Sequence, residues 1–432
     1  MKRVCLFTYG CQMNKYDSEV ISSILDREGY SFTSSPREAD IILLNTCSVR
    51  AHAEQRVFSK IGSLRKIRLK NPHLILGICG CMAKHLGDKL LRKFPYLDLV
   101  VGPNDLDQLP RILREKKRPV ISINTPNRSE FCTSLLREDK IKAYVPINFG
   151  CSNYCSYCVV PYVRGELKSR DKEEIIEEIR RLAKQGYKEI TLLGQNVTQY
   201  GRDLRNGINL SNLLEEIEAI DGLKRIRFLT PHPKDVTDEL ISAMSRLSKV
   251  CEHIHLPAQA GSNKILRKMN RGYTVEDYKQ IVERMRERIP HLSITTDLIV
   301  GFPGEDEHDF EETLKLVEDI RFSASFTFKF SKRPGTKAAN LKPEIPEDVK
   351  KDRLRILNDV QRGITLDLNK RLIGTRQEVL AECINPKNER QLIGKTGQGK
   401  VVIFSGDSGL IGEIVHVKVK DARLWSLLGE LS

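Results

Sequence analysis

Gly150-Cys151-Ser152-Asn153-Tyr154-Cys155-Ser156-Tyr157-Cys158 follows directly on an apolar run at residues 144–148, so three cysteines in Cys-x3-Cys-x2-Cys spacing occupy the loop after a strand. Further strand-like runs at 189–193, 225–229, 251–256, 293–300 and 325–330 are separated by helical stretches such as 173–185 and 275–288. Strand and helix in regular alternation call for a parallel sheet covered by helices. Six such units are too few for a closed eight-unit barrel and suit an open, partial one, whose functional loops lie at the carboxyl ends of the strands. The cysteine loop is the first of those loops.

Toward the N-terminus, strand-like runs at 4–7, 41–44 and 74–77 each lead into a cysteine-bearing turn: Gly10-Cys11, Asn45-Thr46-Cys47 and Gly80-Cys81. In a parallel sheet these turns face one crevice, so Cys11, Cys47 and Cys81 are expected to converge although they are distant in sequence. An apolar run at 99–101 and the basic stretch Arg114-Glu115-Lys116-Lys117-Arg118 bring this unit to its end. Beyond about residue 370, β-type runs at 377–381, 400–404 and 413–419 with Gly-containing turns read as a small barrel. The expected fold class is therefore α/β. An N-terminal open parallel sheet domain (1–125) and a polar linker (126–142, with Cys132) precede a partial (β/α)6 barrel (143–368) and a C-terminal small β-barrel (369–432). No sequence repeat and no Gly-rich phosphate loop interrupts that plan.

The 432 residues exceed the usual size of one core. With 40% hydrophobic and 30% charged residues the chain is globular rather than disordered. Lys plus Arg number 71 against 57 Asp plus Glu, and the net charge of +14 is compatible with an anionic partner without naming it. The apolar stretch at 4–7 is broken at once by Thr8-Tyr9-Gly10, which is no secretory signal. No run approaches the roughly 18 apolar residues of a membrane span. The expected location is cytoplasmic, away from any membrane, where the eleven cysteines are reduced thiols available to metal.

Three thiolates on one short loop can hold three irons of a four-iron cluster and leave the fourth iron an open coordination site. The amino and carboxylate groups of S-adenosylmethionine can chelate that iron, so that an electron reaches the sulfonium and releases a 5′-deoxyadenosyl radical. Cys151, Cys155 and Cys158 are the ligands this reading assigns. The competing reading is a structural zinc site, which normally takes four protein ligands; no fourth stands nearby. Cys11, Cys47 and Cys81, at equivalent strand ends, form a second three-cysteine constellation. Cys79, two residues before Cys81, is the nearest competitor for that set, and Cys5, Cys132, Cys251 and Cys383 have no partner pattern; all five read as structural.

Across nearly the whole chain the motifs resemble those of the radical methylthiotransferases. They are Gly10-Cys11-Gln12-Met13-Asn14, Asn45-Thr46-Cys47-Ser48-Val49-Arg50, Gly80-Cys81-Met82-Ala83, and Cys151 to Cys158 followed by Val159-Val160-Pro161-Tyr162-Val163-Arg164-Gly165. The C-terminal segment is similar to the family's TRAM domain, a small barrel associated with RNA binding. The resemblance implies two [4Fe-4S] clusters and two uses of S-adenosylmethionine. The cluster on Cys151, Cys155 and Cys158 would cleave the cofactor; the one on Cys11, Cys47 and Cys81 would hold sulfur that is methylated and delivered. It also implies cofactor contact at Leu193-Gly194-Gln195-Asn196, while His255-Leu256-Pro257-Ala258-Gln259-Ala260-Gly261-Ser262 and Gly301-Phe302-Pro303-Gly304-Glu305 sit at later strand ends; Gly194, Gln195, Gln259 and Ser262 are the candidates for S-adenosylmethionine or substrate, and an ordinary tight turn is the alternative for each stretch. Glycine there would allow backbone to approach the adenosyl group. Arg164 and Arg170 are candidates for the cofactor carboxylate or a substrate phosphate, and surface arginine is their alternative. No catalytic role falls to His232 or His255.

Gln12-Met13-Asn14 and Val159-Val160-Pro161-Tyr162 look most like the MiaB branch, which places methylthio on carbon 2 of isopentenylated adenosine next to the anticodon of tRNA. Branches acting on threonylcarbamoyl-adenosine or on a ribosomal-protein aspartate stay open, as does a non-catalytic, zinc-dependent RNA-binding protein. The expected partners are a tRNA anticodon stem-loop, a reductant such as flavodoxin or ferredoxin, and a sulfur or iron–sulfur carrier, with the enzyme a monomer. Lys332-Arg333, Lys395, Lys400, Lys418 and Lys420 are the candidates for RNA phosphates.

Overall fold

The computed structural model describes residues 1–48, 51–115, 117–125 and 135–432, with the backbone alone at 51–53. Cys132, Lys116, the Val49-Arg50 end of the Cys47 motif and residues 126–134 of the linker lie outside the described residues.

Near the N-terminus β1 (Arg3–Thr8), β2 (Ser31–Phe32), β3 (Ile41–Thr46), β4 (Ile75–Gly80), β5 (Leu99–Val101) and β6 (Val120–Ser122) form one sheet in the order β2-β1-β3-β4-β5-β6. Every pairing in it is parallel. β3 is buried at all six positions, as a central strand covered on both faces must be. Its side chains alternate: Ile42 and Leu44 pack with Val57, Ile61 and Leu64 of the helix Ala51–Lys70, while Ile41 and Leu43 pack with Ile21 and Leu25 of the helix Gln12–Arg27. The edge strands β2 and β6 are two and three residues long, too short for a periodic signal. Because β1, β3 and β4 are neighbours, the cysteines that follow them share one edge of the sheet.

β7 (Lys142–Pro146), β8 (Asn148–Phe149) and β9 (Lys168–Ser169) come next, and the antiparallel pair β8–β9 encloses the cysteine loop. β10 (Glu189–Leu193), β11 (Arg225–Phe228), β12 (His253–His255), β13 (Ser293–Val300) and β14 (Ala324–Lys329) complete two three-stranded parallel sheets, β11-β10-β7 and β12-β13-β14. A parallel bridge between Ile226 and Val250 joins them, which makes the partial six-stranded barrel. Helices cover its outside. The helix Lys172–Lys184 starts on Asp171, whose carboxylate accepts the Glu173 and Glu174 N–H groups, and buries Ile175, Ile176, Ile179 and Leu182.

The long helix Glu347–Lys370 leads to a closed barrel of β15 (Arg376–Asn385), β16 (Asn388–Thr396), β17 (Val401–Ser405), β18 (Ile414–Ala422) and β19 (Leu427–Leu431), in the order β15-β16-β17-β19-β18. Val379, Leu392, Val402, Phe404, Val417, Val419 and Leu427 fill it. Sequence reading missed β16 and β19. β16 opens on Asn388-Glu389-Arg390-Gln391 and buries only Leu392, Gly394 and Thr396, so nothing in its pattern outweighs its polarity.

This barrel closes the amino ends of the strands of the partial barrel. Arg225 Nη1 and Nη2 donate to Lys395 O (2.5 Å) and Glu378 O (3.1 Å), and Arg227 Nη2 and Nη1 to Thr396 O (2.8 Å) and Gly397 O (2.9 Å). Lys142 pairs with Glu382 at 2.5 Å. The Lys395 carbonyl is thus part of the docking face, and Lys400 points toward Ser323 O at 3.5 Å. Lys400 thus turns inward rather than toward the expected RNA contact, whereas Lys418 and Lys420 are exposed. Arg333 also departs from that expectation, since it is buried against Glu54 at 2.5 Å.

Candidate cluster sites and cofactor pocket

Cys11 ends the turn after β1, Cys47 follows β3 by one residue, and Cys81 opens the helix Cys81–Leu86 directly after β4. The motif residues around them are what pack the three turns together. Asn45 Nδ2 donates to Asn14 O (2.8 Å) and Ser18 Oγ (2.9 Å); Asn14 Nδ2 donates to Thr46 O (3.2 Å); Thr46 Oγ1 donates to Cys79 O (2.7 Å). Gly10 and Gly80 have positive φ, and a Cβ on Gly80 would lie 2.6 Å from Asn45 Oδ1, one on Gly10 2.5 Å from Cys47 Cβ. The three sulfurs sense one another. Its hydrogen bond with Cys47, the Arg164 cation and the Asn14 and Met13 N–H groups hold the Cys11 thiol down to about 6, against burial, while burial pushes Cys81 up.

The second loop is pinned from outside. Cys151 N donates to Gly165 O (3.1 Å), Ser156 N to Met269 O (2.9 Å), Ser156 Oγ to Lys268 O (2.8 Å) and Asn270 Nδ2 to Tyr154 O (3.0 Å). Gly150 is irreplaceable, because at its φ of +70° a Cβ would sit 1.9 Å from Glu166 O. Burial and then the neighbouring Cys155 push the Cys158 thiol up to about 12, and burial raises Cys151. Clustered buried thiols that resist ionisation are relieved by a bound cation. Among the described residues no three His, Cys, Asp or Glu side chains stand as one metal ion would require; a multi-iron cluster takes each thiolate on a separate iron. Both cysteine sets fit such clusters.

Arg271, which sequence reading did not single out, donates from Nη1 to Cys155 Sγ (3.3 Å), from Nη2 to Pro257 O (2.9 Å) and from Nε to the Tyr273 hydroxyl (3.0 Å). It is buried, and among the described residues no carboxylate pairs with it. Its only signal in the sequence is the Arg271-Gly272-Tyr273 turn after a helix.

Around the mouth of the partial barrel lie buried polar atoms with no hydrogen-bond partner among the described residues: Asn148 Oδ1, Asn153 Nδ2, Gln195 Oε1, Gln199 Oε1, both His232 nitrogens and Asp297 Oδ1. Buried polar groups are normally satisfied, and this set of donors and acceptors matches the amino, carboxylate, hydroxyl and base groups of a nucleoside–amino acid cofactor. Burial holds His232 neutral, with its pKa down to about 2.

The other candidates separate. Gln195 belongs to this mouth, and Gly194 stands beside it: a Cβ there would lie 2.0 Å from Asn148 Oδ1, so the missing side chain makes room for Asn148. Gln259, at φ +72°, stitches its loop to β13 through Asp297 O and Ile299 N. Ser262 Oγ donates to Asp309 at 2.6 Å, and Gly261 lets the helix Glu307–Ile320 approach, since a Cβ would meet Glu312 O at 2.4 Å. Glu305 accepts from Gly301 N (2.7 Å) and pairs with Arg353 (2.8 Å), a closed turn. Arg170 is fully buried, donating to Pro146 O (3.0 Å) and Glu178 (2.7 Å), and Arg137 joins the same carboxylate (2.8 Å). The Arg170 Nη1 is held by that network. Arg164 departs from the expected anion contact: Nη2 donates to Asp17 (2.6 Å) and Nε to Cys81 Sγ (3.2 Å). Of the cysteines read as structural, Cys5, Cys79 and Cys251 are buried, whereas Cys383 is exposed. His255 meets Thr295 Oγ1 at 3.0 Å in the barrel interior.

Family models match three stretches of the chain: the radical SAM superfamily over residues 145–317, uncharacterized protein family UPF0004 over 3–102, and the TRAM domain over 370–432. Among solved structures, the radical S-adenosylmethionine methyltransferase TsrM from Kitasatospora setae, with cobalamin and a [4Fe-4S] cluster bound, superposes with a TM-score of 0.57. That match covers 78% of this chain and 77% of the other at 16% identity, a likeness of fold alone. The tRNA-2-methylthio-N(6)-dimethylallyladenosine synthase of Dictyoglomus thermophilum is 49% identical over 100% of this chain and 99% of its own length. The enzyme of the same name from Carboxydothermus hydrogenoformans is 47% identical with the same coverage. With motifs, fold and full-length identity in agreement, this chain belongs to the tRNA-2-methylthio-N(6)-dimethylallyladenosine synthase family of radical SAM enzymes.

Proposed function

We propose that this chain inserts a methylthio group at carbon 2 of N6-isopentenyladenosine next to the anticodon of tRNA, using one S-adenosylmethionine as methyl donor and a second as radical source. The observation that carries the reading is the pairing of two three-cysteine sites in one molecule, in a chain collinear with synthases of that name. That collinearity favours this substrate over threonylcarbamoyl-adenosine or a ribosomal-protein aspartate.

Cys151, Cys155 and Cys158 would hold the radical-generating cluster, and Cys11, Cys47 and Cys81 the auxiliary one. When bound, the first supplies the electron that cleaves S-adenosylmethionine, and the second holds the sulfur to be methylated and transferred. The chain's own groups do the positioning. Asn148, Asn153, Gln195, Gln199 and Asp297 offer hydrogen bonds at the barrel mouth. His232, kept neutral, accepts at one nitrogen and donates at the other without adding charge. An adenosine stacked in the anticodon loop must be turned out to reach this mouth. The exposed Lys418 and Lys420 of the C-terminal barrel suit the backbone of the stem.

In this reading 1–125 is the sulfur-bearing unit, 126–142 a linker, 143–368 the radical unit and 369–432 the RNA-binding unit. A flavodoxin or ferredoxin supplies electrons, and a sulfur or iron–sulfur carrier renews the auxiliary site. The enzyme acts as a monomer in the cytoplasm; no helix among the described residues is long and apolar enough to cross a membrane.

Anaerobic reconstitution with iron and sulfide tests the assignment. Changing Cys151, Cys155 and Cys158 to Ala abolishes 5′-deoxyadenosine formation, whereas changing Cys11, Cys47 and Cys81 to Ala leaves cleavage and stops thiolation. Methylthiolated tRNA from the second triple variant would refute the division of roles.

A further inference from the structure

The stretch that follows Cys158 touches both cysteine sites within seven residues. The helix Val160–Arg164 packs Val159 and Val163 against Cys81, and Gly165, at φ +83°, returns its carbonyl to Cys151 N at 3.1 Å. Between these contacts Arg164 turns inward, 5% exposed, with Nη2 on Asp17 at 2.6 Å and Nε on Cys81 Sγ at 3.2 Å. Asp17 is itself fully buried on the helix Gln12–Arg27, the helix that begins beside Cys11. A guanidinium has a rigid planar fork, so one partner fixes the direction offered to the other; Asp17 aims the Nε–H at the sulfur.

We propose that Arg164 is a positioning residue for the auxiliary cluster, holding the Cys81 thiolate in place and raising that cluster's reduction potential through its N–H···S hydrogen bond. The inference rests on the assignment of that cluster to Cys11, Cys47 and Cys81. Hydrogen bonds to ligand sulfur and local charge are among the main determinants of iron–sulfur potentials. An added electron makes the cluster more negative, so a donor on its sulfur favours the reduced form. Arg271 offers the matching contact to Cys155 at 3.3 Å, so each site has its own arginine, and the two effects can be read separately.

The test begins with the chain in which Cys151, Cys155 and Cys158 are Ala, reconstituted anaerobically. Iron near four per chain shows the auxiliary cluster where expected; absence of iron overturns the assignment and the inference together. In that background Arg164→Met, Arg164→Lys and the double variant Arg164→Met with Asp17→Asn are titrated electrochemically with detection by electron paramagnetic resonance. The double variant removes the charged carboxylate that Arg164→Met alone would leave buried without its guanidinium, and so keeps the comparison if the single variant does not fold.

At a fixed applied potential the ratio of reduced to oxidised cluster falls about tenfold in the double variant, a midpoint lower by about 59 mV. Arg164→Lys, with one point donor for two partners, falls between. The same substitutions made in the chain lacking Cys11, Cys47 and Cys81 leave the midpoint of the other cluster in place. An unchanged auxiliary midpoint at full iron content would show Arg164 to be a strut between two units and nothing more. An equal shift in both clusters would overturn the inference as well, since only a general loosening acts on both.

Discussion

Replacing Gly194 by Ala tests the cofactor pocket at its most constrained point. Gly194 does not have the positive φ that excludes alanine, so the backbone accepts the change. The new Cβ would lie 2.0 Å from Asn148 Oδ1 and 2.9 Å from its Cγ. Restoring ordinary contact needs a shift of about 1.4 Å, and Asn148 is held by a 2.9 Å hydrogen bond from its Nδ2 to Asn196 O. The side chain must leave its place, and with it the buried Oδ1 that faces the barrel mouth. If that oxygen accepts a hydrogen bond from the charged amino group of S-adenosylmethionine, its loss weakens binding by about 1.5–3 kcal/mol, roughly 12- to 160-fold. Equilibrium dialysis at matched cluster content measures this. Asn148→Ala should weaken binding by a similar amount, and Gly194→Ala added to it should cost little more, since the two changes remove one interaction. Unchanged affinity in Gly194→Ala, or full additivity in the double variant, would refute the reasoning.

Glu178→Gln leaves Arg137 and Arg170 buried without their shared carboxylate, and the urea midpoint should report a loss of about 3–5 kcal/mol. Burial, then Arg227 and His255, holds His253 neutral with a pKa down to about 3. The unfolded chain takes up that proton from about pH 6.5 downward while the folded one does not, so stability falls as pH falls through this window. From pH 7.5 to 5.5 the share of His253 is about 1.4 kcal/mol, and His253→Gln should remove that part of the slope in paired urea titrations. Lys418→Glu with Lys420→Glu should weaken tRNA binding and flatten its dependence on salt, whereas Lys400→Gln should leave that dependence as it is. Equal effects at exposed Lys418 and inward-facing Lys400 would place the RNA elsewhere.

The alternation of strands and helices, the Cys-x3-Cys-x2-Cys loop and the three cysteines at strand ends are local facts, and they were legible because period, turn chemistry and ligand spacing are written in consecutive residues. The same holds for the central strands: β3 is apolar through Leu44, and its burial follows. Strands β2, β6, β16 and β19 were not legible, because they are short or polar and exist only through the neighbours they pair with. Side-chain roles divided in the same way. Arg164 and Arg170 carry the same chemistry six residues apart, yet one reaches Cys81 and the other Glu178, a choice made by elements 83 and 8 residues distant. Gly194 and Gly261 read as room for a ligand or as tight turns, and the fold sets Asn148 and a neighbouring helix directly against them. Sequence alone determined which atoms can bind iron and in what order they occur. Which sulfur each arginine serves, and which polar groups stay unpaired at the barrel mouth, was decided by tertiary structure, because hydrogen-bond partners are set by packing between segments that no local pattern connects.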